Sequence, residues 1–106
     1  MSKIRITITK AEPIARMLVE AMAPGCERIE IAGSIRRQQD LVGDIEIVAI
    51  PEMLKGLFGQ PVVSLLDSYL GNLIQTGVLG KPKKNGKKYK QFEIVGQHGL
   101  HLDLFL

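Results

Sequence analysis

The stretch that decides the fold is AGSIRRQQDLVGDIEIVAIP, residues 32–51. It joins the end of one predicted strand to a β-branched run that Pro51 terminates, through a polar connection rich in arginine and glutamine. In the second strand, Asp44 and Glu46 stand two residues apart among apolar neighbours. Side chains at this spacing share a face of a strand, with Cα atoms roughly 6.6 Å apart. Two carboxylates on one face indicate either a solvated sheet surface or a cation site.

The rest of the chain alternates between strand and helix patterns. Helices are predicted over residues 10–23, where Thr9 and Glu12 suggest a capping box, and over residues 62–75, where Gly77 follows as a terminator. Asn85-Gly86 predicts a type I′ hairpin turn. Strands are predicted over residues 2–9, 27–32, 44–50 and 100–106. This order predicts one α+β domain over residues 1–106, a mixed β-sheet with helices packed on one face.

Composition limits the chemistry. The chain has 106 residues, a formal net charge of +3 and 45% hydrophobic residues, enough to bury one core. Because Cys26 is the only cysteine and there are two histidines, neither an internal disulfide nor a Cys/His zinc cage is possible. Any metal is therefore expected to have oxygen ligands. No apolar run approaches the roughly 20 residues that span a bilayer, and we expect a cytoplasmic protein.

The positive charge is local. Residues 81–90 read KPKKNGKKYK, with six lysines and no acidic residue, so the remainder of the chain is mildly acidic. A basic patch of this kind suits a nucleic-acid backbone, and the alternative is a solvated hairpin that resists edge pairing. Tyr89 and Phe92 could stack on bases or pack in the hairpin. The predicted nucleic-acid-binding residues are Lys83, Lys84, Lys87, Lys88 and Lys90.

A phosphate-binding composition precedes the acidic pair. Gly33 permits close approach to the backbone, Ser34 offers a hydroxyl, and an arginine pair offers guanidinium groups. Asp103 supplies a third carboxylate in the alternating terminal strand, opposite a leucine face. His101 shares the predicted face of Asp103, and we expect a surface residue or, alternatively, a neighbour of the cation. Three carboxylates beside a polyphosphate site predict two Mg²⁺ ions about 3.5–4 Å apart, with Mn²⁺ as a possible substitute.

Residues 32–51 resemble the signature of the nucleotidyltransferase superfamily. The Gly-Ser-x-Arg-Arg form is most similar to the family X DNA polymerases, the DNA polymerase beta-like enzymes. In that family an acid-x-acid strand begins ten residues after the serine, as Asp44 does after Ser34, and a later strand carries a third acid, as His101-Leu102-Asp103 does here. The resemblance implies a palm domain over essentially the whole chain.

The resemblance also implies a reaction. A hydroxyl, expected to be a DNA 3′-OH, would attack the α-phosphate of a nucleoside triphosphate and release pyrophosphate. Asp44 and Glu46 would bind both metals, and Asp103 would bind the metal that activates the hydroxyl and assist its deprotonation. By the same resemblance, the β- and γ-phosphates would be held by Gly33, Ser34 and Arg37, with Arg36 in a more local role.

Two departures from the family pattern leave alternatives open. Glu46 stands where family X polymerases usually have Asp, and its longer arm affects how Mg²⁺ is bound. Only three residues follow Asp103, where the family continues into a thumb-like region, so we expect a minimal palm or a fragment of a longer protein. The alternatives are an antitoxin-type nucleotidyltransferase that modifies a protein partner and a non-catalytic nucleotide- or nucleic-acid-binding module.

Overall fold

The computed structural model describes residues 5–58, 62–97 and 99–106. Residues 2–4 of the predicted amino-terminal strand lie outside this part. The elements in chain order are β1 (Ile6–Thr7), α1 (Ile8–Met22), a 3-10 turn (Ala23–Gly25), β2 (Cys26–Ala32), α2 (Gly33–Arg36), β3 (Leu41–Val42), β4 (Ile45–Pro51), β5 (Met53–Leu54), β6 (Val63–Ser64), α3 (Leu65–Gln75), β7 (Leu79–Asn85), β8 (Tyr89–Ile94) and β9 (His101–Phe105).

Five of these strands form one mixed sheet in the order β2-β4-β9-β8-β7. Strand β9 runs parallel to β4, and every other pair in the sheet is antiparallel. Because β4 and β9 run parallel, the chain between them must return to the end of the sheet at which β4 begins. The predicted α+β class with a mixed sheet is confirmed.

The helices cover one face of this sheet. Helix α1 places Ala11, Ala15, Leu18 and Met22 in the core at spacings of three and four residues, and α3 does the same with Leu66, Leu70 and Leu73. The sheet meets them with alternate residues of its central strands. The buried residues that β4, β8 and β9 turn toward the helices are Ile45, Ile47, Ala49, Leu102, Leu104, Phe92 and Ile94.

The opposite side of the sheet, here called the open face, carries no helix from the described residues. Strand alternation sends Glu46, Asp103 and Gln91 to this face at one level of the sheet, because they are successive register partners. The next level contains Val48, Phe105 and Tyr89. None of the helices formed by residues 5–58, 62–97 and 99–106 has the length and apolar character needed to cross a bilayer.

The terminator predicted at Gly77 forms a complete Schellman motif. Gly77 has a φ of +82° and donates to the Ile74 carbonyl, while Val78 donates to the Leu73 carbonyl. The predicted start of this helix at residue 62 is wrong. Residues Val63–Ser64 pair with Met53–Leu54 as a small ribbon, so α3 begins at Leu65.

The predicted type I′ turn at Asn85-Gly86 is wrong as well. Asn85 pairs with Lys90 in the ladder, and the Gly86 N–H donates to the Tyr89 carbonyl at 2.9 Å. Neither Asn85 nor Gly86 has the positive φ that a type I′ turn centred on them requires. The hairpin forms, but its tip is Lys87 and Lys88, two residues further along.

Candidate active site

Two of the predicted acidic residues are direct neighbours. Glu46 of β4 and Asp103 of β9 are Cα partners in a parallel pair, and both side chains belong to the open face. Neighbouring strands are separated by about 4.8 Å, so these carboxylates lie within reach of one shared cation. Asp103 is only 7% exposed, which makes it the buried acid of the set. The register therefore brings together two acids that are 57 residues apart in the chain.

Asp44 precedes β4 and lies toward the first residue of β9. Its Oδ1 is 3.7 Å from Nδ1 of His101, whose Nε2 is 3.0 Å from the Nζ of Lys83. Because a lysine ammonium only donates, Nε2 accepts and the ring hydrogen is assigned to Nδ1, facing Asp44. His101 therefore lies between Lys83 of the hairpin and Asp44.

Asp103 is held by two donors from strand β8. Its Oδ1 accepts from the Tyr89 hydroxyl at 2.6 Å and from Nε2 of Gln91 at 3.0 Å. The hydrogen bond to Asp103, burial and the negative charges of Asp103, Asp44 and Glu46 together raise the pKa of Tyr89 to about 12. The negative charges of all three predicted carboxylates therefore act on this one hydroxyl.

The amino-terminal edge of β4 borders a polar depression of about 190 Å³. Ser34, Asp44 and Glu46 line it, and so do Arg5 and Gln39, which the sequence pattern did not single out. The cleft therefore combines a hydroxyl, a guanidinium and two carboxylates. Its lining is polar apart from Leu41, so it suits a charged ligand.

Gly33 begins α2 instead of belonging to an extended loop. Its φ is +65°, and a Cβ built at this position would overlap the Glu46 carboxylate. A side chain at residue 33 would therefore strain the backbone and collide with the Glu46 carboxylate, a candidate metal ligand. This explains why a glycine precedes Ser34. Ser34 follows in the same helical turn, closed by a hydrogen bond from Gln39 N–H to the Ser34 carbonyl.

The two arginines of the signature are exposed and do not line the cleft. Arg36 borders a separate groove of about 470 Å³ between α1 and β2, and its charge helps to lower the pKa of Glu30 after the larger effects of Arg28. Arg37 closes the α2 turn through its N–H to the Gly33 carbonyl. Arg5 is the guanidinium residue in the cleft lining.

The lysines of residues 81–90 divide between the two faces of the sheet. A register shift between Pro82 and Lys84 lets Lys83 reach His101 and lets Lys84 lie with Nζ 5.8 Å from the Tyr89 ring centroid. Lys90 instead belongs to the helix side, where it bonds Asn85 and borders a depression with Asp67. The structure therefore places Lys83 beside His101 and Lys84 beside Tyr89 on the open face, Lys87 and Lys88 at the hairpin tip, and Lys90 on the helix side.

Of the two interpretations offered for Phe92, stacking on a base is excluded, because this residue is 2% exposed on the helix side of β8. Its neighbours Tyr89 and Gln91 occupy the open face instead, consistent with strand alternation. The alternative of core packing is correct for Phe92.

The donor chemistry of Asp44, Glu46 and Asp103 fits a hard divalent cation, because all three offer carboxylate oxygens. In the described part of the chain, no three His, Cys, Asp or Glu side chains are already grouped as a ligand set. Both hydrogen bonds to Asp103 use Oδ1, and the Glu46 carboxylate lies over Gly33. Binding of one cation by all three would therefore require these side chains to rotate from the positions described.

No protein-family model and no curated protein matches this chain. Its assignment therefore depends on the site itself.

Proposed function

We propose that the chain is a palm-like, metal-dependent nucleotidyltransferase that transfers a nucleoside monophosphate from a nucleoside triphosphate to a nucleic-acid 3′-OH. The observation that carries this proposal is the pairing of Glu46 with Asp103, with Asp44 on the same side and the Ser34 cleft adjoining. Carboxylates on neighbouring strands beside a polar cleft suit the joint binding of divalent cations and a triphosphate.

The cleft residues would hold the triphosphate. The Ser34 hydroxyl would donate to a phosphate, and Arg5 offers a guanidinium from the lining. Gly33 does not provide the predicted close approach to a phosphate, because the Glu46 carboxylate occupies the space beside it. Arg37, and Arg36 less directly, are the further guanidinium donors that the family resemblance implies. Mg²⁺ or Mn²⁺ bound by Asp44, Glu46 and Asp103 would neutralise the charge that develops on the phosphate oxygens.

The reaction forms a bond from the acceptor oxygen to the α-phosphorus. The bond from the α-phosphorus to the bridging oxygen breaks, and pyrophosphate leaves with the electron pair. The hydroxyl proton must be removed, and Asp103 would accept it at Oδ2, because Oδ1 already accepts two hydrogen bonds. Positioning and charge neutralisation supply most of the rate enhancement in such transfers.

The test is incorporation of a labelled nucleoside triphosphate into an oligonucleotide in Mg²⁺ or Mn²⁺. Asp103→Asn should reduce the rate at least about a hundredfold, as expected when charge stabilisation in a site is removed. Asp40→Asn is the matched control, because Asp40 is exposed and lies outside the cleft lining. Equal labelling by the Asp103 variant refutes the proposal, and label on a protein hydroxyl but not on DNA would establish the antitoxin-type alternative.

A further inference from the structure

An aromatic pair lies beside the acidic pair on the open face. Tyr89 and Phe105 are register partners on β8 and β9, with ring centroids 5.1 Å apart and planes tilted by 31°. Phe105 remains 41% exposed although it belongs to a strand in the centre of the sheet. Val48, its partner on β4, is exposed as well. This group, here called the aromatic platform, is one level of the sheet away from Glu46 and Asp103.

Lysines border the aromatic platform on its hairpin side. Lys84 lies over the Tyr89 ring, and the Lys88 carbonyl accepts from the N–H of Leu106, the residue after Phe105. On the other side lie the three carboxylates, which repel phosphate. A phosphate backbone is therefore favoured along β7, where Tyr89 and Gln91 of β8 separate it from the acids of β9 and β4.

We infer that the aromatic platform binds the unpaired 3′-terminal segment of a nucleic-acid strand, with a base stacked on Phe105 and the backbone along Lys84. A duplex hides the faces of its bases, so an exposed ring on a sheet reaches a base face only in a single strand. The direction of the strand, with its 3′ end toward Asp103, rests on the proposed function. The stacking itself does not.

The test is binding of a fluorescent 12-nucleotide single strand, measured by anisotropy in EDTA and in Ca²⁺, against a duplex of the same sequence. Phe105→Leu keeps an apolar side chain but removes the ring, and should weaken single-strand binding about fivefold or more. Phe58→Leu is the matched control, because Phe58 is 103% exposed and lies outside the five-stranded sheet. Phe105→Tyr keeps a ring and should bind like the wild type.

Unchanged binding by folded Phe105→Leu, or a preference for the duplex, overturns the inference. If Phe105→Leu does not fold, a loss of single-strand binding in Phe105→Tyr overturns it too. Comparison of RNA and DNA single strands of the same sequence shows which sugar is preferred, and a preference for either one supports the inference. Labelling assays on the same samples separate the two proposals: binding that needs Phe105 without nucleotidyl transfer refutes only the proposed function, and transfer without that dependence refutes only the aromatic platform.

Discussion

The Tyr89 hydroxyl donates to Oδ1 of Asp103 at 2.6 Å, so the hairpin that carries the lysines also holds the most buried of the candidate acids. Gln91 adds a second donor from the same strand. The hairpin and the acidic pair are therefore one structural unit. A bound nucleic-acid strand that moved β8 would therefore also move the two side chains that donate hydrogen bonds to Asp103.

Removal of the Tyr89 hydroxyl should destabilise the fold. Tyr89→Phe leaves Oδ1 of the buried Asp103 carboxylate with one fewer donor, and should lower the free energy of unfolding by about 1–2 kcal/mol. Urea denaturation followed by circular dichroism measures this change. Tyr69→Phe is the matched control, because Tyr69 packs against Gly25 and not against a carboxylate. Equal unfolding midpoints for Tyr89→Phe and the wild type would show that the hydrogen bond makes no net contribution to the free energy of unfolding.

The raised pKa of Tyr89 predicts a specific alkaline transition in metal-free buffer. In a Tyr69→Phe background Tyr89 is the only tyrosine, and the chain has no tryptophan. Phenolate absorbance should then rise with a midpoint at about 12. Since the neutral hydroxyl is the donor, its contribution to stability is complete below a pH of about 10 and is lost as pH rises to about 12.

Asp103→Asn in the same background should lower this midpoint toward 10, because it removes the carboxylate that accepts the Tyr89 hydrogen bond and, with it, a negative charge that opposes ionisation. Circular dichroism at each pH shows whether the chain is still folded. A midpoint near 10 in the folded Tyr69→Phe protein would contradict the coupling between Tyr89 and Asp103.

Two Gly→Ala substitutions should have opposite effects. Gly33→Ala introduces a Cβ into the space of the Glu46 carboxylate at a φ of +65°, and should cost about 1–2 kcal/mol while abolishing nucleotidyl transfer. Gly71→Ala lies within α3 with no atom within 4 Å of the new Cβ, and should stabilise by about 0.5–1 kcal/mol. Thermal denaturation and the labelling assay measure both. An active, stable Gly33→Ala protein would contradict the close approach described at Glu46.

The lysines should differ in their effect on nucleic-acid binding. Lys84→Gln removes a charge beside Tyr89, so the slope of log affinity against log salt for a single strand should decrease by about 0.7. Lys90→Gln should leave that slope unchanged, because Lys90 bonds Asn85 on the helix side. Binding titrations at several salt concentrations measure the slopes. Equal decreases for both variants would indicate a diffuse charge effect instead of a defined surface.

Much of the secondary structure follows from local patterns. The helical spacing of Ile14, Leu18 and Met22 and the alternation of Leu102 with Leu104 predict α1 and β9 without reference to the rest of the chain. Strand pairing is different, because alternation assigns a residue to a face but not to a partner. No local pattern around Glu46 indicates that Asp103 lies beside it in a parallel register.

The incorrect and missed predictions also result from contacts between segments that are distant in the chain. Val63–Ser64 forms a strand only because Met53–Leu54 is available to pair with it, and that contact shortens the predicted helix. Tyr89 and Gln91 become partners of Asp103 through the β8–β9 register, although their alternation with Phe92 already assigned them to the face away from the core. Arg5 enters the cleft lining through tertiary packing that no motif records.

The central claim is that Asp44, Glu46 and Asp103 bind divalent cations together with a nucleoside triphosphate. Electron paramagnetic resonance of Mn²⁺, titrated into the protein with a non-hydrolysable triphosphate analogue, counts the bound ions directly. Subtracting the ions bound by the analogue alone, the account predicts two saturable Mn²⁺ per chain, unchanged in Asp40→Asn and lost from folded Asp103→Asn and Glu46→Gln. Absence of saturable binding in the wild type, or the same stoichiometry in Asp103→Asn, would contradict it.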